Sequence, residues 1–261
     1  MNEGEGQARS WPAWAEARLR LAARVAWLTA FAIPHIALHF AWRASRQPSP
    51  WPRRFLRLAA RACGVHVTRI GAPLRRNVFF VANHLSWVDI PILGGDVETI
   101  FVAQDKIEDW PLIGWLATLN DTVFVSRTDR AGVAGQIALV REAIAQPRPV
   151  TLFPEGTTTD GRSLLPFKPS LFASLDPAPR PIMIQPVVLQ FDDAGSSLAW
   201  IGTEGAADNA FRVLGRRGTF HVTIHYLEPF DPTVLDRKGI AAEARRRIAE
   251  GLAAVCGVPV A

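Results

Sequence analysis

Apolar positions along the chain follow two periods, and together they predict alternating strands and helices. Val78-Phe79-Phe80-Val81-Ala82 is a continuous apolar run, expected of a strand buried on both faces. Val65 to Ile70 alternates enough for a short strand, and Thr122 to Val125 suits another. Pro149 to Phe153, Ile182 to Gln190 and Thr219 to Leu227 predict three more. Helical spacing separates them. Arg53 to Ala62 places Phe55, Leu56, Leu58, Ala59 and Ala62 as a helix would, and Asp109 to Leu119 is a helix with Pro111 near its start. Gly132 to Ala145 carries Val133, Ile137, Val140 and Ile144. Lys238 to Val255 sets Ile240, Ala244, Ile248 and Leu252 on one face, with Arg245, Arg246, Arg247 and Glu250 elsewhere. This alternation predicts an α/β protein with a mixed, largely parallel sheet flanked by helices.

The amino-terminal stretch is different. Val25 to Trp42 runs 18 residues without a formal charge, just under the about 20 that a spanning helix needs. Pro34, His35 and His39 interrupt it as a simple span. It begins too far into the chain, and lacks the small-residue cleavage site, for a signal peptide. Arg18, Arg20 and Arg24 precede it, and Arg43, Arg46, Arg53 and Arg54 follow. Basic flanks on both sides keep both ends cytoplasmic. The expectation is a helix broken near Pro34 that dips into one leaflet at the cytoplasmic face of the inner membrane. Trp11, Trp14, Trp27, Trp42 and Trp51 suit such an interface. A buried helix covering the core is the competing reading. Gln47-Pro48-Ser49-Pro50 reads as a joint, dividing a membrane-associated helical segment, 1–50, from a globular domain, 51–261.

Composition adds one point. The net charge is +5, and from Ala17 to Val88 there are twelve Arg and no Asp or Glu. A block of this kind attracts an anionic surface: lipid head groups, nucleic acid or an acidic carrier protein. The chain has three Lys, so a preference for Arg over Lys is general, but that does not account for the missing acids. Two distant cysteines, Cys63 and Cys256, suggest neither a disulfide framework nor a metal cluster, and a reducing compartment is expected.

Candidate chemistry centres on Asn83-His84-Leu85-Ser86-Trp87-Val88-Asp89, directly after the buried run. Ligands bind at the carboxyl ends of strands in open α/β sheets. On a continuous helix five steps put His84 and Asp89 on different faces, so they meet only across a turn. Asp89 would then fix one imidazole nitrogen and leave the other to take a proton. The competing reading is local: Ser86 to Asp89 resembles a capping box opening a helix. Spacing alone favours that second reading. Phe153-Pro154-Glu155-Gly156-Thr157 also follows a buried strand and puts a carboxylate at its end, with Gly156 free to turn sharply. Val123-Phe124-Val125-Ser126-Arg127 is a short strand ending in a cation.

Together, in this order, the three pieces resemble the phospholipid-synthesis acyltransferases that acylate glycerol phosphate and lysophosphatidic acid. That family carries N-H-x-x-x-x-D, then an apolar strand ending in Arg, then F-P-E-G-T, then a short apolar strand with a Pro. Here these are Asn83–Asp89, Thr122–Arg127, Phe153–Thr157 and Ile184-Gln185-Pro186-Val187, and the resemblance covers roughly 55–230. Lys106 before Pro111 and Gly114, and the Phe167-Lys168 step, are similar too. The resemblance implies that His84 is the general base and Asp89 its orienter, with Lys106, Arg127, Glu155, Gly156 and Thr157 shaping the acceptor site. It implies no cofactor. The donor substrate is an acyl thioester of coenzyme A or of acyl carrier protein, and the acceptor is a membrane lysolipid.

One departure bears on the acceptor. Glycerol-phosphate-type members usually have Arg after the Thr of the third motif, whereas here Thr158-Thr159-Asp160-Gly161 follows. The E-G-T-T-x-D-G wording also resembles members that acylate lyso-ornithine lipid. Lysophosphatidic acid ranks first as the family's main acceptor, lyso-ornithine lipid second and glycerol 3-phosphate third.

Other classes fit less well. His66, His221 and His225 lie on strand-like segments without metal-ligand spacing. No G-x-S-x-G elbow is present. The Arg block overlaps the apolar stretch and carries no nucleic-acid motif. A non-catalytic lipid-binding protein is the non-enzyme rival, but it would not need both His84 and Asp89.

Overall fold

The computed structural model describes residues 13–126 and 132–257. Two helices open it, α1 (Ala13–Arg43) and α2 (Trp51–Ala62). After them come β1 (Val65–Ile70), β2 (Val78–Ala82), α3 (Asp89–Asp96), β3 (Ile100–Gln104), α4 (Pro111–Leu119) and β4 (Val123–Val125). The second half is α5 (Val133–Ala145), β5 (Val150–Leu152), β6 (Met183–Phe191), α6 (Asp193–Ser196), α7 (Ala206–Gly215), β7 (Phe220–Tyr226) and α8 (Arg237–Cys256). Short 3-10 turns occupy Asp105–Ile107 and Pro169–Leu175.

The strands form one sheet in the order β1-β7-β6-β2-β5-β3-β4. Every neighbouring pair is parallel except β6 with β7. The expected mixed, largely parallel sheet is therefore the observed one. β2 lies near the centre with all five residues buried, as a strand covered on both faces must be. One face is covered by α5, α8 and the Pro169–Leu175 turn, which pack on Phe79, Val81 and Val150. The other is covered by α2, α3 and α7, which pack on Phe80, Ala82 and Val187. Because β2, β5, β3 and β6 run the same way, their carboxyl ends share one edge.

Two features depart from the sequence expectations. Helix α1 is continuous through Pro34. The ring removes the donor for the Ala30 carbonyl, and the turns on either side carry the helix through. β3, α6 and α7 add elements that the pattern did not mark, and α3 begins at Asp89, where the capping-box reading opens a helix. Helix α3 contains Pro91, Gly94 and Gly95, which are poor helix formers, and it exists where α2 presses against it. A Cβ on Gly95 would sit 2.7 Å from the Arg57 backbone, and one on Gly94 2.6 Å from a Leu56 methyl. Glycine is what allows that approach.

Helix α1 packs along its length on α2 and α7. Arg20 Nε donates to the Gly215 carbonyl at 2.8 Å, and Arg24 to that of Leu214 at 2.8 Å, so two cations meet the carboxyl end of α7. His39 is buried, with Nδ1 2.8 Å from Ser49 Oγ. The outward side of α1 presents Trp27, Phe31, Ile33, Leu38, Phe40 and Trp42. By length and composition it could cross a membrane.

Candidate active site

β2 delivers Asn83 and His84 to the shared carboxyl edge. Asn83 is fully buried and latches this end to β6: its Nδ2 donates to the Leu189 carbonyl at 3.1 Å, and Leu189 N–H donates to its Oδ1 at 2.8 Å. The chain then turns. Asp89 N–H bonds the Ser86 carbonyl at 3.0 Å, and α3 starts there. This turn brings Asp89 back to His84.

Asp89 Oδ2 gathers three groups: His84 Nδ1 at 2.7 Å, Leu85 N–H at 2.7 Å and Ser86 N–H at 3.0 Å. The carboxylate is completely buried, and as the first residue of α3 it also faces the positive end of that helix. The capping-box reading is half realised. Asp89 accepts from Ser86 N–H, but Ser86 Oγ and Asp89 Oδ1 are buried without a hydrogen-bond partner. His84 stacks on Phe153, with ring centroids 4.3 Å apart and planes at 22°. Its side chain keeps 19% exposure. With Nδ1 taken by a carboxylate, Nε2 is the ring nitrogen left to accept a proton.

The F-P-E-G-T segment follows β5, the neighbour of β2, and wraps over this histidine. Glu155 is 3% exposed, and both its oxygens accept from backbone: Oε1 from His84 N–H and Oε2 from Leu165 N–H, each at 3.0 Å. It ties the base to the far side of the loop, so its oxygens are spent inside the protein. Gly156 has φ of 69°, a conformation suited to glycine, and its carbonyl accepts from Gln104 Nε2 at 3.2 Å. Thr157 is exposed on the loop. Thr158 turns inward and donates from Oγ1 to the Trp200 carbonyl. Thr159 N–H donates to the His84 carbonyl at 2.8 Å, and Trp200 N–H to that of Leu85 at 3.0 Å.

The other expected residues are less tightly drawn in. Lys106 is exposed on the turn after β3, at the same edge of the sheet but two strands from β2. Arg127 lies outside the described residues. Sequence reading did not mark Phe153 as a stacking partner, Thr159 as a clamp or Trp200 as a wall. Phe153 and Thr159 adjoin the Glu155-Gly156-Thr157 motif, which was a signal; Trp200 had none. Trp87 is held from behind: its Nε1 donates to Asn209 Oδ1 at 3.0 Å, and Asn209 Nδ2 donates to Glu204 at 2.7 Å. Among the described residues no three side chains are grouped to hold a metal. His66 and His221 stack on each other, and His225 bonds Gln190.

Burial pushes the Glu155 carboxyl up to about 7, against the pull of the Leu165 and His84 amides. A carboxyl that holds its proton more tightly folded than unfolded stabilises the fold below its ordinary value of 4.5. That contribution is lost as pH rises through about 7. Glu155→Gln cannot ionise, so the stability of the wild type relative to it should fall by on the order of 2–4 kcal/mol between pH 4.5 and 7.5. Urea titrations of both proteins across this window read the difference. A difference that stays constant with pH would mean that the carboxyl is hydrated in the folded state.

Comparison with known proteins adds to this geometry. Residues 65–190 match the model of the acyltransferase family. The chain is 32% identical over 256 residues to a lyso-ornithine lipid O-acyltransferase of Rhodobacter capsulatus, covering 90% of this chain and 91% of that one. It is 35% identical over 117 residues to a 1-acyl-sn-glycerol-3-phosphate acyltransferase of Neisseria meningitidis, covering 45% of this chain and 46% of that one. Its fold is similar to the crystal structure of a 1-acyl-sn-glycerophosphate acyltransferase from Thermotoga maritima. The TM-score is 0.63 at 19% identity, covering 93% of this chain and 98% of that one.

Proposed function

We propose, from the premise that this chain belongs to the acyltransferase family and transfers acyl groups to lysolipids, that its acceptor is lyso-ornithine lipid and that His84 is its general base. The observation that carries the chemistry is the carboxylate of Asp89, which holds His84 Nδ1 and two backbone amides on one oxygen. Nε2 takes the proton of the acceptor hydroxyl as its oxygen attacks the thioester carbonyl. The tetrahedral oxyanion collapses, the carbon–sulfur bond breaks, and the imidazolium returns the proton to the departing thiolate. The products are the ester and the free thiol. Asp89 stabilises the imidazolium and keeps the ring oriented. Glu155 positions His84 through its backbone, and acceptor binding is assigned to Lys106, Arg127, Gly156 and Thr157 by the resemblance of their motifs. The donor is an acyl thioester of coenzyme A or of acyl carrier protein, whose negative charge suits the basic surface.

Two observations support lyso-ornithine lipid over lysophosphatidic acid. The relative bearing the former name matches along nearly the whole chain, whereas the glycerophosphate relative matches less than half of it. Thr158 stands where a phosphate-binding cation would be expected and spends its hydroxyl on the Trp200 carbonyl. Docking of α1 along α2 and α7 supports a helix lying in the interface plane rather than crossing it. Its basic flanks favour the cytoplasmic face.

The test is acyl transfer by the detergent-purified chain with labelled thioester, offering lyso-ornithine lipid and lysophosphatidic acid separately. Product from lyso-ornithine lipid well above that from lysophosphatidic acid is expected. The opposite preference would move the acceptor and keep the chemistry. No product from either acceptor, with either donor, would overturn the enzymatic reading.

A further inference from the structure

Helix α4 (Pro111–Leu119) contains no charged residue, yet none of its residues belongs to either core cluster. Its docking explains this. The buried position is Gly114, and a Cβ there would lie 2.1 Å from the Glu108 carbonyl oxygen. The helix rests its glycine on the preceding turn and leaves Leu112, Ile113 and Trp115 outside, with Leu116 and Leu119 half-buried. Leu112 is 62% exposed, Ile113 49% and Trp115 43%. Apolar side chains grouped this way on one short helix mark a surface that meets something apolar.

Three observations identify the occupant. First, α4 lies on the same sheet face as α1. The crossovers β2–α3–β3 and β3–α4–β4 join parallel strands and move the same way across the sheet. Right-handed connection therefore puts α3 and α4 on one face, and this face is covered by α2 and, outside it, α1. His39 of α1 lies within Coulombic range of Asp121, just past the end of α4. Second, the amino end of α4 reaches the mouth of the site. Trp110 lies 6.5 Å from Trp200, ring to ring, and Trp200 N–H bonds the carbonyl of Leu85, next to His84. Third, the alternatives fit badly. Asp105, Glu108 and Asp109 precede the helix with one cation, Lys106, among them, and Asp121 beyond it is paired with Arg148, so the surround is net negative and would repel an acidic carrier protein. A nine-residue helix falls well short of the roughly 800 Å² per partner that a stable dimer buries.

We infer that α4 is a second membrane-inserting element, which seats the mouth beside His84 on the bilayer so that the lysolipid enters past Trp110 and Trp200. The inference rests on the reading of this chain as a membrane lysolipid acyltransferase. The helix itself brings no charge into the acyl region, and the tryptophans sit at head-group level. Unlike attraction through the arginines of α1, its contribution does not depend on anionic lipid or low salt.

The test uses the full chain with Leu112→Ser and Ile113→Ser combined. Both side chains are exposed, so the fold is unaffected. Co-sedimentation with phosphatidylcholine vesicles, with and without phosphatidylglycerol, should weaken by about tenfold or more, on both compositions and at high salt. Acylation of vesicle-embedded lysolipid should fall in proportion, while turnover of a short-chain, water-soluble acceptor is unchanged. In a Cys256→Ser background, an environment-sensitive fluorophore at Leu112→Cys should report an apolar surrounding when vesicles are added. Unchanged vesicle binding overturns the inference, whether oligomeric state or the KM for carrier-protein thioester changes instead. Vesicle binding is read without turnover, so failure of the acyltransfer reading would show separately, as absent product from a wild-type protein that still binds through α4.

Discussion

Replacing His84 by alanine is expected to lower turnover by about 10²–10⁴-fold while the protein remains folded, since a positioned base typically contributes that much. The expectation of an intact fold follows from how the histidine is held. Its N–H goes to Glu155 and its carbonyl to Thr159, so the loop is shaped by groups that alanine retains. The imidazole itself is partly exposed and contributes mainly its stacking on Phe153. Thermal unfolding and far-ultraviolet dichroism should therefore change little, while product formation collapses. A folded His84→Ala protein with more than a tenth of normal turnover would remove His84 from the chemistry.

Asp89→Asn is expected to cost nearly as much activity, for a different reason. The asparagine oxygen can still accept from Leu85 and Ser86 N–H, as Asp89 Oδ2 does. That same oxygen still meets His84 Nδ1, and the NH₂ takes the place of Oδ1, which has no hydrogen-bond partner. The tautomer is kept, but a neutral amide no longer offsets the charge of the imidazolium that forms when Nε2 takes the proton. Turnover should fall by about 10²-fold or more, with little loss of stability. Asp89→Ala goes further. It leaves two buried amides without an acceptor, at about 1–3 kcal/mol each, and should lower both activity and the unfolding midpoint. The contrast is diagnostic. If asparagine and alanine were equally unstable and equally inactive, Asp89 would hold the turn without its charge acting on the imidazolium. A fully active asparagine variant would dismiss the role of the charge.

Much of the sheet could be read from residue pattern. β1 and β2 fall where alternation and the apolar run put them, and α8 spans the final amphipathic stretch. β2 was legible because burial on both faces permits only apolar side chains, and that constraint is written in consecutive residues. The site was legible as residue types, since a histidine and an aspartate five apart, after a strand, have few structural reasons to coexist with a second carboxylate at another strand end. What Glu155 does was not legible. A motif glutamate on a loop reads as a group facing the acceptor, yet both oxygens are turned inward to the amides of His84 and Leu165.

The sequence by itself determined the α/β layering, the buried centre of the sheet, the basic and apolar amino-terminal segment, and the residues able to do the chemistry. These are local properties, carried by period, charge and spacing. Tertiary structure decided the rest. It placed β5 beside β2, so that Glu155 reaches His84 across 71 positions of chain. It made a helix of Asp89–Asp96 despite Pro91 and two glycines, because α2 presses close enough to require them. It kept α1 helical through Pro34 by holding it along α2 and α7, and it docked α4 by Gly114, turning Leu112, Ile113 and Trp115 outward. In each case the deciding contact joins segments distant in sequence, or turns on how closely two backbones approach, and neither is encoded in the order of apolar and polar residues along one element.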